Sequence, residues 1–321
     1  MIRLPACIVI GLASLAIAPA SAQTWPAKSV RIVVPFAAGG PADVFARIVG
    51  QRLQEGLGQT FVVENRPGAG AVIGTDLAAK SPADGYTLLM MSNTHTANES
   101  LVPKKPYELM RDFAPVAPIN YSDLVLIVHP SVGITTVKQL VDLAKRKPRA
   151  LNYASSGTGT PYHFAGELLK SMAGIEIVHV PYKGSSGART DVLGGQVEMM
   201  FDAITTMAPN VIAGKVKALG TTGKARSAVL PQVPTVSEAG VPGYETVIWL
   251  GIMAPTGTPA AVVERLNGEI GRIVARPDVK EGWRKQGAET LSMNPDQFGQ
   301  YIRDDITKWA KLVKAANIKA D

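Results

Sequence analysis

Cysteine is nearly absent from this 321-residue sequence: the one copy, Cys7, lies in an apolar N-terminal run. A disulfide framework is therefore excluded, and so is a cysteine-ligated metal. Histidine is scarce too, and His95, His129, His163 and His179 are too far apart to form a metal-binding motif. Gly184-Ser185-Ser186-Gly187 lacks the Gly-Lys-Ser/Thr ending of a P-loop, and no Gly-x-Ser-x-Gly elbow of a serine hydrolase occurs. Aromatic residues make up 6%, and no run of lysine or arginine is interleaved with them, so a nucleic-acid partner is not expected. Beyond the N-terminus no apolar stretch is long enough to span a membrane. Gly68-Ala69-Gly70-Ala71-Val72-Ile73-Gly74 has the look of a dinucleotide fingerprint, but it follows a second strand, Pro67 intervenes and the next helix is short. Tight strand-to-helix packing accounts for it better. Asp43 and Asp202 are the best pair for carboxylate acid–base chemistry, but nothing places them at a working distance. An enzyme is not expected, nor any cofactor or metal.

The N-terminus reads as an export signal. A short positive start, an apolar run from Leu4 to Ala20 and the small-x-small sequence Ala20-Ser21-Ala22 give a signal peptide over residues 1–22. Cleavage would leave 299 residues, enough for two domains, and would place the protein in the periplasm. The formal charge of +7, +6 without Arg3, is spread along the chain and reads as a solubility feature.

What remains alternates between strands and helices. Residues 30–36, VRIVVPF, form a continuous apolar strand that would be covered on both faces. The loop Ala37-Ala38-Gly39-Gly40-Pro41 leads into a helix carrying Val44, Phe45, Ile48, Val49 and Leu53. Strands at 60–64 and 86–91 follow, separated by a short helix. A second series has strands at 124–128, 151–153, 176–180, 197–201 and 216–222, with helices between them. A strand at 246–253 and two helices, starting at Thr258-Pro259 and Asn294-Pro295, complete the chain. The order predicts an α/β protein of two lobes, each a mainly parallel sheet flanked by helices. Lobe 1 comprises residues 23–123 and 247–321, and lobe 2 residues 124–246, with crossings near 121–129 and 246–253. Ligands of open α/β sheets bind beyond the carboxyl ends of strands, so two lobes would face each other across a cleft.

Two glycine-rich loops stand at such strand ends. In Ser155-Ser156-Gly157-Thr158-Gly159-Thr160, glycines permit close backbone approach, and Thr160-Pro161 suits an N-cap and first turn. The amides of such a helix start can hold an anion, or the loop can simply turn the chain. Phe36, Ala38, Gly39, Gly40 and Asp43 form the matching loop after the first strand, where Asp43 either orients a ligand or caps the helix. His163 is a donor to a ligand or a packing residue. Asn93 and His95 form a polar strand end expected to face the cleft, as is Asp202.

Six ordered blocks then show a resemblance. VRIVVPFAAGGPADVFAR, GQTFVVENRPGAGAVIGTDLAAKSPADGYTLL, LNYASSGTGTPYHFAGELLK, VHVPYKGSSGARTDVLGGQVEMMFD, LPQVPTVSEAGVPGYE and WLGIMAPTGTP closely resemble the Bug-type receptors of tripartite tricarboxylate transporters. The resemblance covers essentially all of the chain after residue 22. It implies a periplasmic binding protein of type II, a Venus-flytrap fold, monomeric, and a small carboxylate ligand: a di- or tricarboxylate, an acidic amino acid or an aromatic acid. It further implies a permease of one large and one small membrane subunit as partner; a sensor kinase is the alternative. By the same resemblance Ser155, Ser156, Gly157, Thr158, Gly159 and Thr160, with His163, hold a ligand carboxylate. Phe36, Ala37, Ala38, Gly39 and Gly40, with Asp43, hold bridging waters, and Asp202 matches an acidic cleft position. Ala38 stands where the family often has proline, Asn98-Glu99-Ser100 replaces Asn-Pro, and Pro148-Arg149-Ala150 replaces a Pro-Gly-Lys turn.

Overall fold

The computed structural model describes residues 25–315 and Ile318; the signal-peptide reading lies outside the described residues. The chain opens with β1 (Val30–Val34), α1 (Pro41–Leu57), β2 (Phe61–Asn65), α2 (Val72–Ala79) and β3 (Thr87–Ser92). Helices α3 (Asn93–Leu101) and α4 (Leu109–Asp112) lead to a long strand, β4 (Phe113–Val128). A second alternating series follows: α5 (Val137–Arg146), β5 (Asn152–Ser155), α6 (Pro161–Ala173), β6 (Val178–Pro181), α7 (Ser185–Leu193), β7 (Met199–Ala203), α8 (Ile204–Ile212) and β8 (Lys217–Thr221). The chain returns through β9 (Val247–Pro255) and finishes with α9 (Ala260–Ala275), α10 (Pro277–Arg284), β10 (Ala288–Thr290) and α11 (Pro295–Ala315).

Strand pairing produces two sheets that share β4. In the first, β2, β1 and β3 are parallel, β9 runs antiparallel between β3 and β4, and β10 pairs with β4. In the second, β6, β5 and β7 are parallel, and the last five residues of β4 lie antiparallel between β7 and β8. We call these the β1 sheet and the β5 sheet. The expected α/β class is observed, but neither sheet is mainly parallel: only β1–β2 and β1–β3 in the first and β5–β6 and β5–β7 in the second pair in parallel, and β4 and β9 bring in antiparallel pairings.

Local sequence explains most of these elements. Val30, Ile32, Val33 and Val34 are completely buried between helix layers, and each such side chain contributes about 1.5–3 kcal/mol through burial. Pro41 begins α1, and Gly58 ends it in the left-handed conformation, its N–H donating to the Gln54 carbonyl. Thr136 caps α5 by accepting from the Gln139 N–H at 3.1 Å.

Three further expectations need correction. The strand expected at 124–128 is the end of a 16-residue strand. Its first part, containing Pro115 and Pro118, keeps pairing with β9 by shifting register after each proline. Residues 93–95 are not a strand end but the first turn of α3, and the sequence reading also omitted α4, α10 and β10. Thr160 does stand at the N-cap of α6, but its hydroxyl donates to the Gly157 carbonyl instead of accepting from the helix.

Candidate functional site

Ser92, Thr94, Phe36, Ala37, Gly40, Pro41 and Ala42 from the β1 side face Ser156, Pro161, Tyr162 and Ser185 from the β5 side across a small chamber. Ile248 and Leu250 of β9 close its base. The space not occupied by protein is about 340 Å³, including the part open to solvent. These positions are the starts of four helices: α1, α3, α6 and α7. Each start presents amides that have no partner inside the helix, and each carries the positive end of a helix dipole. No Asp, Glu, Lys, Arg or His lines the chamber. Four convergent helix starts in an uncharged pocket favour an anion held by N–H and O–H groups.

Hydrogen bonds fix both glycine-rich loops before any ligand enters. The Gly39 N–H donates to Asp43 Oδ2 at 3.0 Å, and Asn65 Nδ2 donates to the Phe36 carbonyl at 3.0 Å. Burial pushes the Asp43 carboxyl up, but bonds from Arg47, the Gly39 N–H and Asn65 outweigh it and hold the group below its ordinary value. In the second loop Ser155 Oγ accepts from the Gly157 N–H at 3.1 Å, and Thr160 Oγ1 donates to the Gly157 carbonyl at 2.6 Å. His163 Nδ1 accepts from the Gly159 N–H at 3.2 Å. Its ring stacks on His179, centroids 4.1 Å apart, and His179 stacks on Tyr153. His179 Nε2 lies 2.6 Å from Ser155 Oγ, so the stack braces the loop from behind.

Against this support, four buried hydroxyls lack a well-formed hydrogen bond: Thr94 Oγ1, Ser156 Oγ, Tyr162 Oη and Ser185 Oγ, all of residues lining the chamber, the last two beside each other. A buried polar group without a partner costs free energy, which a bound ligand or water recovers. Burial pushes the Tyr162 hydroxyl far up, so it stays neutral and able to donate.

Of the residues singled out from sequence, Phe36, Gly40 and Ser156 line the chamber. Ser155, Gly157, Thr158, Gly159, Thr160 and His163 form or brace the loop that carries Ser156. Ala38 and Gly39 are exposed and lie outside the lining, and Asp43 sits beneath them. Asn93 donates through Nδ2 to the Val247 carbonyl at 2.9 Å, tying α3 to β9. His95 does not face the cleft. It is completely buried, its Nδ1 accepts from the Ser92 N–H at 3.1 Å, and its Nε2 lies 3.0 Å from Thr75 Oγ1. Burial pulls its pKa down to about 4, so it is a neutral cap of α3. Asp202 does not reach the cleft either. It is completely buried, accepting from Arg189 Nε at 2.6 Å and from the Ala203 N–H at 2.9 Å. Burial pushes this carboxyl up while Arg189 pulls it down, and the guanidinium is itself held charged by Asp202. Thr94 belongs to the Ser92–His95 stretch expected at the cleft, though as a strand end and not a helix start; sequence reasoning missed Tyr162 and Ser185, whose only sign was their position in the first turn of a helix.

The two sides of the chamber are in contact. A Cβ built on Gly70 would lie 2.6 Å from the Thr158 carbonyl oxygen, one on Gly159 2.5 Å from Asn98 Oδ1, and one on Gly184 2.6 Å from Ala37 Cβ. Phe164 of α6 packs at a tilt of 39° against Trp309 of α11, centroids 4.5 Å apart, in an apolar cluster with Ala97 and Leu101 of α3.

Residues 45–318 match the family model described as the tripartite tricarboxylate transporter family receptor. The chain belongs to this family. It is 38% identical to Bordetella pertussis Protein BugT, over 99% of both chains. Among solved structures, R. palustris Rpa4515 with adipate is 37% identical with a TM-score of 0.89, over 92% of this receptor and 99% of that chain. MatC from Rhodopseudomonas palustris, with bound malate, is 31% identical with a TM-score of 0.86, over 90% and 100%. The family is one of solute receptors, not of enzymes. Among the described residues no helix of the receptor is long and apolar enough to cross a membrane, and no His, Cys, Asp or Glu cluster could hold a metal ion.

Proposed function

We propose that the receptor captures a small carboxylate in the periplasm and delivers it to a two-subunit membrane permease. The observation that carries this reading is the convergence of four helix starts and four hydroxyls without a well-formed bond on a chamber without charged side chains. Such a site neutralises an anion with dipoles, and water bridges add to it at little cost. The relatives solved with adipate and with malate bear carboxylate ligands, in keeping with this chemistry. Residues 25–123 with 247–315, and residues 124–246, act as two lobes that hinge where the chain passes between the sheets, along β4 and at the start of β9. The ligand selects the shut form because only that form brings both walls of the chamber within reach.

Thermal unfolding of the exported chain against a panel of carboxylates and neutral solutes tests the reading. A carboxylate at 100 times its dissociation constant adds about 2.7 kcal/mol. Ser185→Ala and Tyr162→Phe each remove a hydroxyl whose nearest protein partner is the other of the pair, so each changes the unliganded stability by less than about 1 kcal/mol and weakens carboxylate binding by about 1.5–3 kcal/mol. Stabilisation by neutral solutes and not by carboxylates would refute the proposal.

A further inference from the structure

Helix α6 buries its apolar residues in two different places. Tyr162, Ala165 and Leu169 join the core of the β5 sheet. Phe164 does not. It is 1% exposed, and the rest of the cluster that buries it comes from the other side of the chamber: Ala97 and Leu101 of α3, Trp309 of α11 and Ile318 just beyond it. This socket is braced by its own side. Trp309 Nε1 donates to Asp305 Oδ2 at 3.0 Å, an oxygen that also accepts from Trp249 Nε1 of β9 at 3.2 Å. The Ile318 N–H donates to the Val313 carbonyl at 3.0 Å, folding the chain end back over the socket.

Socket and chamber are two parts of one interface. Thr94, Ala97 and Leu101 follow at intervals of three and four, so one face of α3 runs from the chamber into the socket. On α6, Tyr162 lines the chamber and Phe164 fills the socket. Residues two apart point to opposite sides of a helix, and the Phe164 N–H bond to the Thr160 carbonyl at 3.0 Å closes the turn that carries both. Phe164 is not among the residues lining the chamber, so it touches no ligand there.

We propose that Phe164 is a latch, which enters the socket of α3 and α11 when the lobes close and leaves it when they open. Part of what holds the shut form is then apolar burial outside the ligand site. A phenylalanine taken fully out of water favours that form about 10- to 100-fold. Ligand and latch act through the same first turn of α6, so each favours the other. This rests on the two-lobe reading above and not on the identity of the ligand.

A crosslink that needs no ligand tests it. A Cβ built on Gly39 would lie 3.7 Å from Ser186 Cβ on the opposite wall, the separation found in a disulfide. The exported chain has no cysteine after residue 22, so Gly39→Cys with Ser186→Cys supplies a single thiol pair that joins only in the shut form. Its equilibrium with reduced and oxidised glutathione measures how often the walls meet. In this background Phe164→Ala lowers the crosslinking constant about 10- to 100-fold, and Phe164→Leu lowers it by a smaller factor. Leu101→Ala lowers it too, but by less once residue 164 is already alanine, because the contact is shared. The unfolding temperature of the reduced chain does not fall with Phe164→Ala, since the side chain is exposed in the open form. An unchanged crosslinking constant overturns the proposal, because the socket is then idle. A fall in the unfolding temperature of the reduced Phe164→Ala chain also overturns it, because Phe164 is then a permanent core residue. If the thiol pair does not join even with Phe164 intact, the two-lobe reading falls as well. Failure of every carboxylate to stabilise the wild type would refute the ligand reading alone and leave the crosslinking result standing.

Discussion

Gly184→Ala isolates the shut form from the rest of the fold. Gly184 precedes α7 with φ 166° and ψ 164°, an extended backbone open to any residue. A methyl group there meets only the other wall of the chamber. Its carbon would stand 2.6 Å from Ala37 Cβ, 3.0 Å from Ala37 N and 3.3 Å from Ala37 Cα. Non-bonded carbons settle at about 3.5–4.0 Å, so the walls must part by roughly 1 Å. Ala37 cannot retreat alone, because Asp43 and Asn65 pin its loop on both sides. Overpacking of this size costs about 1–3 kcal/mol. Charged to the shut form alone, that weakens ligand binding by roughly 5- to 150-fold. In an open form the methyl group meets nothing, so the unfolding temperature without ligand stays the same. Gly187→Ala is the control: it lies in the same helix, and its methyl would be 3.4 Å from Tyr182 Cδ1, an ordinary contact. Calorimetry with the carboxylate that stabilises the wild type measures the loss, and small-angle scattering at saturation measures closure. Affinity within twofold of wild type together with full compaction would refute the hinge reasoning. So would a large drop in unliganded stability, which would mean the walls are shut without ligand.

Two further substitutions probe the supports of the site. Asp305 Oδ2 accepts from Thr96 Oγ1 at 2.6 Å, Trp309 Nε1 at 3.0 Å and Trp249 Nε1 at 3.2 Å, joining α11 to α3 and β9. Asp305→Ala strands the two indole donors in a largely buried place, Thr96 keeping its bond to the Asn93 carbonyl at 2.8 Å, and lowers stability by about 2–4 kcal/mol in urea unfolding; a loss below about 0.5 kcal/mol would show the node to be idle. Asp123 lies on β4 near the crossing, where burial and the charge of Glu245 push its carboxyl up to about 6. The native state therefore holds a proton that the unfolded chain releases between about pH 4 and pH 6. Stability falls as pH rises through that window and stays lower above it. Asp123→Asn removes this loss, gaining about 1–3 kcal/mol at pH 7 and nothing below about pH 4. A gain that does not depend on pH would assign the effect to packing instead.

What the sequence showed and what it hid follow from how each residue is stabilised. The apolar runs of β1, β3 and β7 were legible because burial on both faces demands uninterrupted hydrophobic side chains. The first part of β4 was not, because Pro115 and Pro118 each lack an N–H and argue against a central strand; the two register shifts resolve that conflict only when β9 is present. Helix α3, Asn-Thr-His-Thr-Ala-Asn-Glu-Ser-Leu, has no apolar period, since it is buried by hydrogen bonds: Asn93 to β9, His95 to Ser92 and Thr75, Asn98 to Gly70. The six family blocks carried the fold, for they span both sheets.

The chamber was half legible for a related reason. Glycine leaves a mark wherever backbone must approach closely, so the loops before α1 and α6 could be found from sequence. The hydroxyls of Tyr162 and Ser185 leave none, because a serine or tyrosine in the first turn of a helix is ordinary until another helix start is set opposite it. That opposition is a property of topology. Parallel strands on each side send their following helices away from one edge, and the shared strand β4 turns the two edges toward each other. Asp202 and His95 had the chemistry of a binding residue but were drawn into the support, each with its polar atoms already engaged. Buried hydroxyls at a helix start therefore point to this candidate chamber, whereas the ionisable residues near it are spent on its support.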